Sequence, residues 1–195
     1  MKIIGLCGGS GSGKGAVSAI FAELGLACID TDKVYHDIIS TDSECTMELI
    51  GAFGEQVHAH PGIDRRALRE IVFSSEEKRL LLNNIAHKHV IKSVKEAIND
   101  KSDTLGFIID APILFESHLN EICDLTLCVI ADNDVRLERI VARDGLTADE
   151  AKARIAAQIP NDALIEKCNF SIENNSDIDS LREKVSKLKS QIFDN

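Results

Sequence analysis

At 195 residues, 44% hydrophobic and 28% charged, the chain has the size and balance of one sizeable globular core with room for a small inserted subdomain. Its net charge of −10 argues against a broad footprint for nucleic acid. No stretch approaches the ~18 apolar residues of a membrane span, and the first apolar run is cut by glycines too early for a secretory signal, so a cytoplasmic protein is expected.

Residues 2–7, KIIGLC, read as a short buried strand, and GGSGSGKG (8–15) follows as a glycine-rich loop. AVSAIFAEL (16–24) has helical apolar spacing and stops at Gly25; ACID (27–30) is a second strand. From about 32 to 100 the chain reads as mostly helical, with capping-box spacing at Thr41/Glu44 and Ser74/Glu77, and a turn at HAHPGID (58–64). LGFIID (105–110) and DLTLCVIA (124–131) are buried strands, and DNDVRLERIVARDG makes a helix that ends at Gly145. Thr147/Glu150 opens a short helix, FSIEN (170–174) is a fifth strand, and Ser176/Asp179 opens a final amphipathic helix, SLREKVSKLKSQI. Strands alternating with helices imply an α/β fold, a parallel sheet covered on both faces. Ligands in such folds bind beyond the carboxyl ends of the strands. The six cysteines form no C-x-x-C pair and are expected as reduced core thiols.

The loop nearly spells the phosphate-binding pattern G-x-x-x-x-G-K-[ST] in the strand–loop–helix context that pattern requires. Gly8, Gly9, Gly11 and Gly13, with Ser12 between them, let backbone N–H groups turn inward around phosphates, and the helix dipole adds positive potential. Lys14 reaches the outer phosphates as a point charge. Gly15 stands where the pattern has a hydroxyl that ligates Mg²⁺, and Ala16 removes a second hydroxyl. Because Mg²⁺ keeps several waters, the site is impaired rather than abolished. A lost contact of about 1–3 kcal/mol means roughly ten- to a hundredfold weaker metal binding or turnover.

Asp32, just past the second strand, suits a base that takes the proton of an acceptor hydroxyl, and suits a helix N-cap equally well. Asp110, ending the third strand, suits a carboxylate that holds Mg²⁺ through water, with Asp32 as a second candidate. Arg136, Arg139 and Arg143 fall at i, i+3 and i+7, which aligns three cations on one helix face, and Arg154 lies on the next helix. They either close over a nucleotide or lace a surface with salt bridges to Asp132, Asp134, Glu138 and Asp144. Histidines 58, 60, 87 and 89 form two H-x-H pairs with no third metal ligand evident; His87 reads as a polar contact in a substrate cleft.

The ordered set LCGGSGSGKG, CIDTD, IDRRALREIVF (63–73), LNNIAHKHVI (82–91), DAPILFE (110–116), RLERIVARDG (136–145) and SIENN (171–175) resembles the dephospho-coenzyme A kinase family from about residue 2 to about 190. The resemblance implies a P-loop NTPase-type three-layer α/β/α fold with a five-stranded parallel sheet. It implies a nucleotide core at about 1–32, 103–135 and 168–195, a helical coenzyme-A-binding subdomain at about 33–102, and a lid at about 136–167. By it ATP is the donor, Mg²⁺ the metal and dephospho-coenzyme A the small-molecule substrate, with no nucleic-acid or membrane partner, in a monomer or small homo-oligomer. Asp32 takes the general-base position and Lys14 contacts phosphates. Arg139 and Arg143 belong to the lid and nucleotide-contact region, Asn174 matches an Asn near the adenine, and Arg65 and His87 lie where the substrate is cradled. This sequence departs from the family at Gly15 and Ala16 (usually Ser-Thr), Lys88 (usually Pro), Asn169 (usually Asp) and Leu164 (commonly Lys). A nucleoside or nucleotide kinase of the same architecture, and a nucleotide-binding protein impaired in catalysis by Gly15, are the alternatives.

Overall fold

Apolar runs too short for helices and bounded by glycine or polar residues become the strands of a parallel sheet. The computed structural model describes residues 1–73, 75–101 and 103–194. Strands β1 (Lys2–Gly8), β2 (Ala27–Asp30), β3 (Gly106–Asp110), β4 (Leu125–Ile130) and β5 (Phe170–Glu173) lie in the order β2-β3-β1-β4-β5. Ile4 pairs with Ile108 on β3 and with Leu125 on β4, and β4 pairs with β5 in parallel. All five residues of β3 are buried, as a strand covered on both faces requires. The chain leaves β1 towards β3 and β2 on one side and towards β4 and β5 on the other. The glycine-rich loop therefore follows the strand where the order reverses, the usual ligand position in open α/β sheets.

Two compact units divide the chain, Met1–Ile29 with Asp103–Asn195, and Asp30–Ser102. In the first, helices α1 (Lys14–Glu23) and α9 (Ile178–Phe193) pack on the sheet. Val17, Ile20 and Phe21 meet Ile4, Leu6, Ile108 and Leu127, and Leu181, Val185 and Leu188 complete the cluster. The same unit holds α6 (Asn133–Asp144), α7 (Ala148–Ala156) and α8 (Asn161–Lys167). In the second unit, α2 (Thr31–Ile39), α3 (Glu44–Phe53), α4 (Arg65–Phe73) and α5 (Glu76–Asp100) bury their own core of Ile39, Leu49, Phe53, Val57, Ile63, Leu68 and Ile85.

The helix starts show where local pattern yields to context. The Thr147/Glu150 capping box forms as expected. Thr41 does not cap α3: its hydroxyl donates to the carbonyls of Asp37 and Ile38 at the end of α2, and Ser43 accepts from the Thr46 amide instead. Asp177, not Ser176, caps α9, and Ser75 caps α5; Ser74 lies outside the described residues. All six cysteines are free thiols. Among the described residues no helix is long and apolar enough to cross a membrane.

Candidate active site

The loop between β1 and α1 is held by its carbonyls. Arg136 Nε donates to the Ser10 carbonyl at 3.0 Å, Arg139 Nη1 to that of Gly11 at 3.3 Å, and Asn174 Nδ2 to that of Ser12 at 2.8 Å. Arg139 Nη1 also donates to the Asn174 carbonyl at 2.9 Å, which locks the two holders together. Gln158 accepts from the Ser10 amide and from Arg136, and donates to the Ser10 hydroxyl. In a trans peptide the N–H points away from the C=O. Tying the Ser10 and Ser12 carbonyls to these side chains therefore turns the amides of Gly11 and Gly13 to the opposite side, where an anion can take them. The Ser12 amide instead closes the loop on Gly9 at 3.1 Å. Gly13 caps α1 with φ 89°, and a side chain there would run into the Asn174 amide, so glycine is required twice over. Ser12 Oγ is buried and has no hydrogen-bond partner among the described residues, a polar atom left for a ligand.

Helix α1 starts at Lys14, two residues before the apolar spacing begins, so the lysine leaves from the positive end of the helix. Its ammonium forms an ion pair with the carboxylate of Asp110, the last residue of β3. Gly15 is exposed, and a Cβ built on it meets nothing within 4 Å. Ala16 packs against the core. Behind the loop, Cys7 Sγ lies 3.7 Å from Cys168 Sγ. Hydrogen bonds with Cys128 and Cys7 lower the Cys168 thiol below its usual range, while that sharing, with burial, pushes Cys7 up.

The three aligned arginines separate. Arg136 is buried, and desolvation lowers its pKa without uncharging it. With half-buried Arg139 it reaches the loop. Arg143 is exposed and pairs with Asp144 at 2.7 Å, and Arg154 pairs with the same carboxylate at 2.6 Å. The hydrogen bond from Arg143, seconded by Arg154, pulls Asp144 down to about 2. The loop contact and the salt-bridge lacing thus divide one helix between them. Gln158 carries no signal in the sequence, and Arg136 shares its spacing with Arg143; only burial tells them apart.

In the second unit, Asp32 is exposed in the first turn of α2. The N-cap is Asp30, whose carboxylate accepts from the amides of Asp32 at 2.9 Å and Lys33 at 3.1 Å. The Asp32 carboxylate is therefore not engaged in the cap. Arg65 is exposed at the start of α4, and its charge acts against the upward shift that burial gives Tyr35. His87 is half-buried on α5. Lys88 and buried His89 both bond Glu48 on α3, at 2.9 Å and 2.7 Å. Back in the first unit, Asn169 Oδ1 accepts from the Thr126 amide at 2.8 Å and joins β4 to the chain entering β5, and Leu164 is buried on α8.

The family model for dephospho-CoA kinase matches residues 2–180. A dephospho-CoA kinase of Fusobacterium nucleatum is 42% identical over 189 residues, covering 96% of this chain and 97% of that protein. The chain belongs to the dephospho-CoA kinase family. A solved structure of a Thermus thermophilus protein superposes with a TM-score of 0.82 at 28% identity, covering 97% of each chain. A dephospho-CoA kinase from Campylobacter jejuni superposes at 0.64 with 25% identity, covering 100% of this chain and 98% of that one. The five-stranded parallel sheet with helices on both faces is the P-loop kinase fold. Against the dephospho-CoA kinase pattern, Lys88, Asn169 and Leu164 each have a structural partner or a core position here, whereas Gly15 opens onto empty space.

Proposed function

We propose that this enzyme transfers the γ-phosphoryl group of ATP to the ribose 3′-hydroxyl of dephospho-coenzyme A, giving coenzyme A, the last step of its biosynthesis. The observation that carries the reading is the anion-ready loop, its carbonyls tied back and Lys14 at the helix start, in a chain matched by the family almost end to end. The loop amides and Lys14 take the β- and γ-phosphates, and Asn174 lies towards the adenine. Arg139 and Arg143 supply positive charge to the transferring group, Arg143 by exchanging Asp144 for phosphate. Asp32 takes the proton of the 3′-hydroxyl as its oxygen bonds to phosphorus and the bond to the leaving ADP oxygen breaks. Arg65 and His87 hold the acceptor. In this reading 33–102 is the coenzyme-A-binding subdomain and 136–167 the lid. The enzyme works in the cytoplasm, in keeping with six free thiols, as a monomer or small homo-oligomer without nucleic-acid or membrane partners.

The residues present fit Mg²⁺. Asp110 offers a carboxylate beside Lys14, the oxygen donor a hard cation prefers, and water would complete the shell where Gly15 has no hydroxyl. Asp110 would hold the ion through water. The ion would neutralise charge on the phosphates.

With γ-labelled ATP, label is expected on dephospho-coenzyme A and not on nucleoside monophosphates; the reverse preference makes the chain a nucleotide kinase. Absence of transfer to any acceptor, cured by Gly15→Ser, makes it a nucleotide-binding protein instead. In the active enzyme, Gly15→Ser is expected to lower the half-saturating Mg²⁺ concentration about tenfold, the value of one restored contact. The open space at this position lets the hydroxyl enter without a clash, and serine suits the helix better than glycine. An unchanged magnesium titration would remove the missing-ligand explanation.

A further inference from the structure

The H-x-H pair at 58 and 60 gains from the fold what the sequence did not show, a third donor. Asp42, in the turn between α2 and α3, and the two histidines each offer one ligand atom, and these atoms lie within 4.8 Å of one another. We infer that Asp42, His58 and His60 form a binding site for a divalent transition-metal ion of the zinc class, independent of the phosphoryl-transfer reading.

The scaffold is set before any ion arrives. The turn at 58–63 is pinned to the end of α2 by the Ile63 amide, which donates to the Ile39 carbonyl at 2.9 Å. It is closed by the Ala59 amide on the Gly62 carbonyl at 3.0 Å and by the Asp64 amide on the Val57 carbonyl at 2.8 Å. Val57 and Ile63, on either side of it, are buried in the unit's core. Gly62 has φ 89°, and a side chain there would strike the Ile39 carbonyl, so the two turns approach as closely as backbone allows. The Gly62 amide donates to Asp42 Oδ1 at 3.2 Å. That bond orients the carboxylate, in the way outer partners orient metal ligands, and Oδ2 faces His60 Nδ1 at 3.9 Å.

The histidine rings stand edge to face, 6.3 Å between centroids. Donors bound to one tetrahedral ion at about 2.0–2.2 Å stand roughly 3.4 Å apart. Closing the site therefore asks for shifts of about an ångström from exposed side chains. Two imidazoles with a carboxylate suit Zn²⁺, Ni²⁺ or Cu²⁺ and not the all-oxygen preference of Mg²⁺. Water would fill the fourth position. A bound ion clasps the end of α2 to the turn that precedes α4.

The full chain, stripped with chelator and kept reduced with a phosphine, is titrated with Zn²⁺ calorimetrically and with Co²⁺ optically. One tight equivalent is expected, with a Co²⁺ spectrum free of thiolate charge transfer and a melting temperature that rises with Zn²⁺. His58→Gln with His60→Gln, and separately Asp42→Asn, should each weaken Zn²⁺ binding by about tenfold or more and abolish the thermal shift, with the metal-free melting temperature unchanged. Absence of stoichiometric binding, retention of it in the double variant, or a thiolate-dominated Co²⁺ spectrum would overturn the site.

Discussion

Replacing Lys14 with methionine is expected to lower kcat about 10²–10³-fold, the loss seen when one preorganised charge aimed at a developing anion is removed. Methionine keeps the length and apolar stem of the side chain and deletes the ammonium. The variant also removes the cation that faces the buried Asp110 carboxylate, which costs stability. Stability and catalysis are separated by the double variant Lys14→Met/Asp110→Asn. Neutralising both partners restores the melting temperature but not turnover, because neither the ammonium nor the carboxylate that would hold Mg²⁺ is left at the phosphates. Steady-state kinetics beside thermal melts check both halves. A single variant that keeps kcat within a few-fold of wild type would show that the ammonium does not meet the transferring group.

Replacing Asp32 with asparagine is expected to lower kcat by about 10²–10⁴-fold, with little change in KM and none in melting temperature, since the proton acceptor is lost. The fold supplies a control two residues away. Asp30 accepts the two amides that start α2, so Asp30→Ala removes a cap and costs about 1 kcal/mol of stability. One aspartate thus carries the helix start, and the other is left for the proposed proton transfer. Were Asp32→Asn to destabilise the protein and leave kcat intact, the base would have to be sought elsewhere.

What could be read from the chain alone follows the range of the interactions. The phosphate loop, the five strands and the family were legible because each rests on neighbours in sequence: apolar runs, glycine spacing, a lysine at the helix start. Helix caps were legible only where a single candidate stood in place, as at Thr147. Where Thr41 and Ser43 compete, the end of α2 decides, because it takes the Thr41 hydroxyl first. The arginines mark the next limit. Arg136 and Arg143 sit on one helix at equivalent spacing, yet one is sealed against the loop and the other turns to Asp144. No periodicity encodes that difference, which arises from packing against residues far away in the chain. Gln158 and Asn174 are of the same kind, single polar residues whose partners lie across the fold. Asp42 joins His58 and His60 only because Gly62 allows two turns to touch.

The grip on the loop also has a bearing on how this enzyme can be rebuilt. Because Ser10, Gly11 and Ser12 are fastened by Arg136, Arg139 and Asn174, with Gln158 bracing the first, the shape of the nucleotide end is dictated by a stretch of chain over a hundred residues downstream. A hybrid that grafts residues 133–174 from a homologue inherits a working cradle only if those fasteners travel as a set. Grafted piecemeal, they would leave the glycines slack, with every residue of the motif still in place.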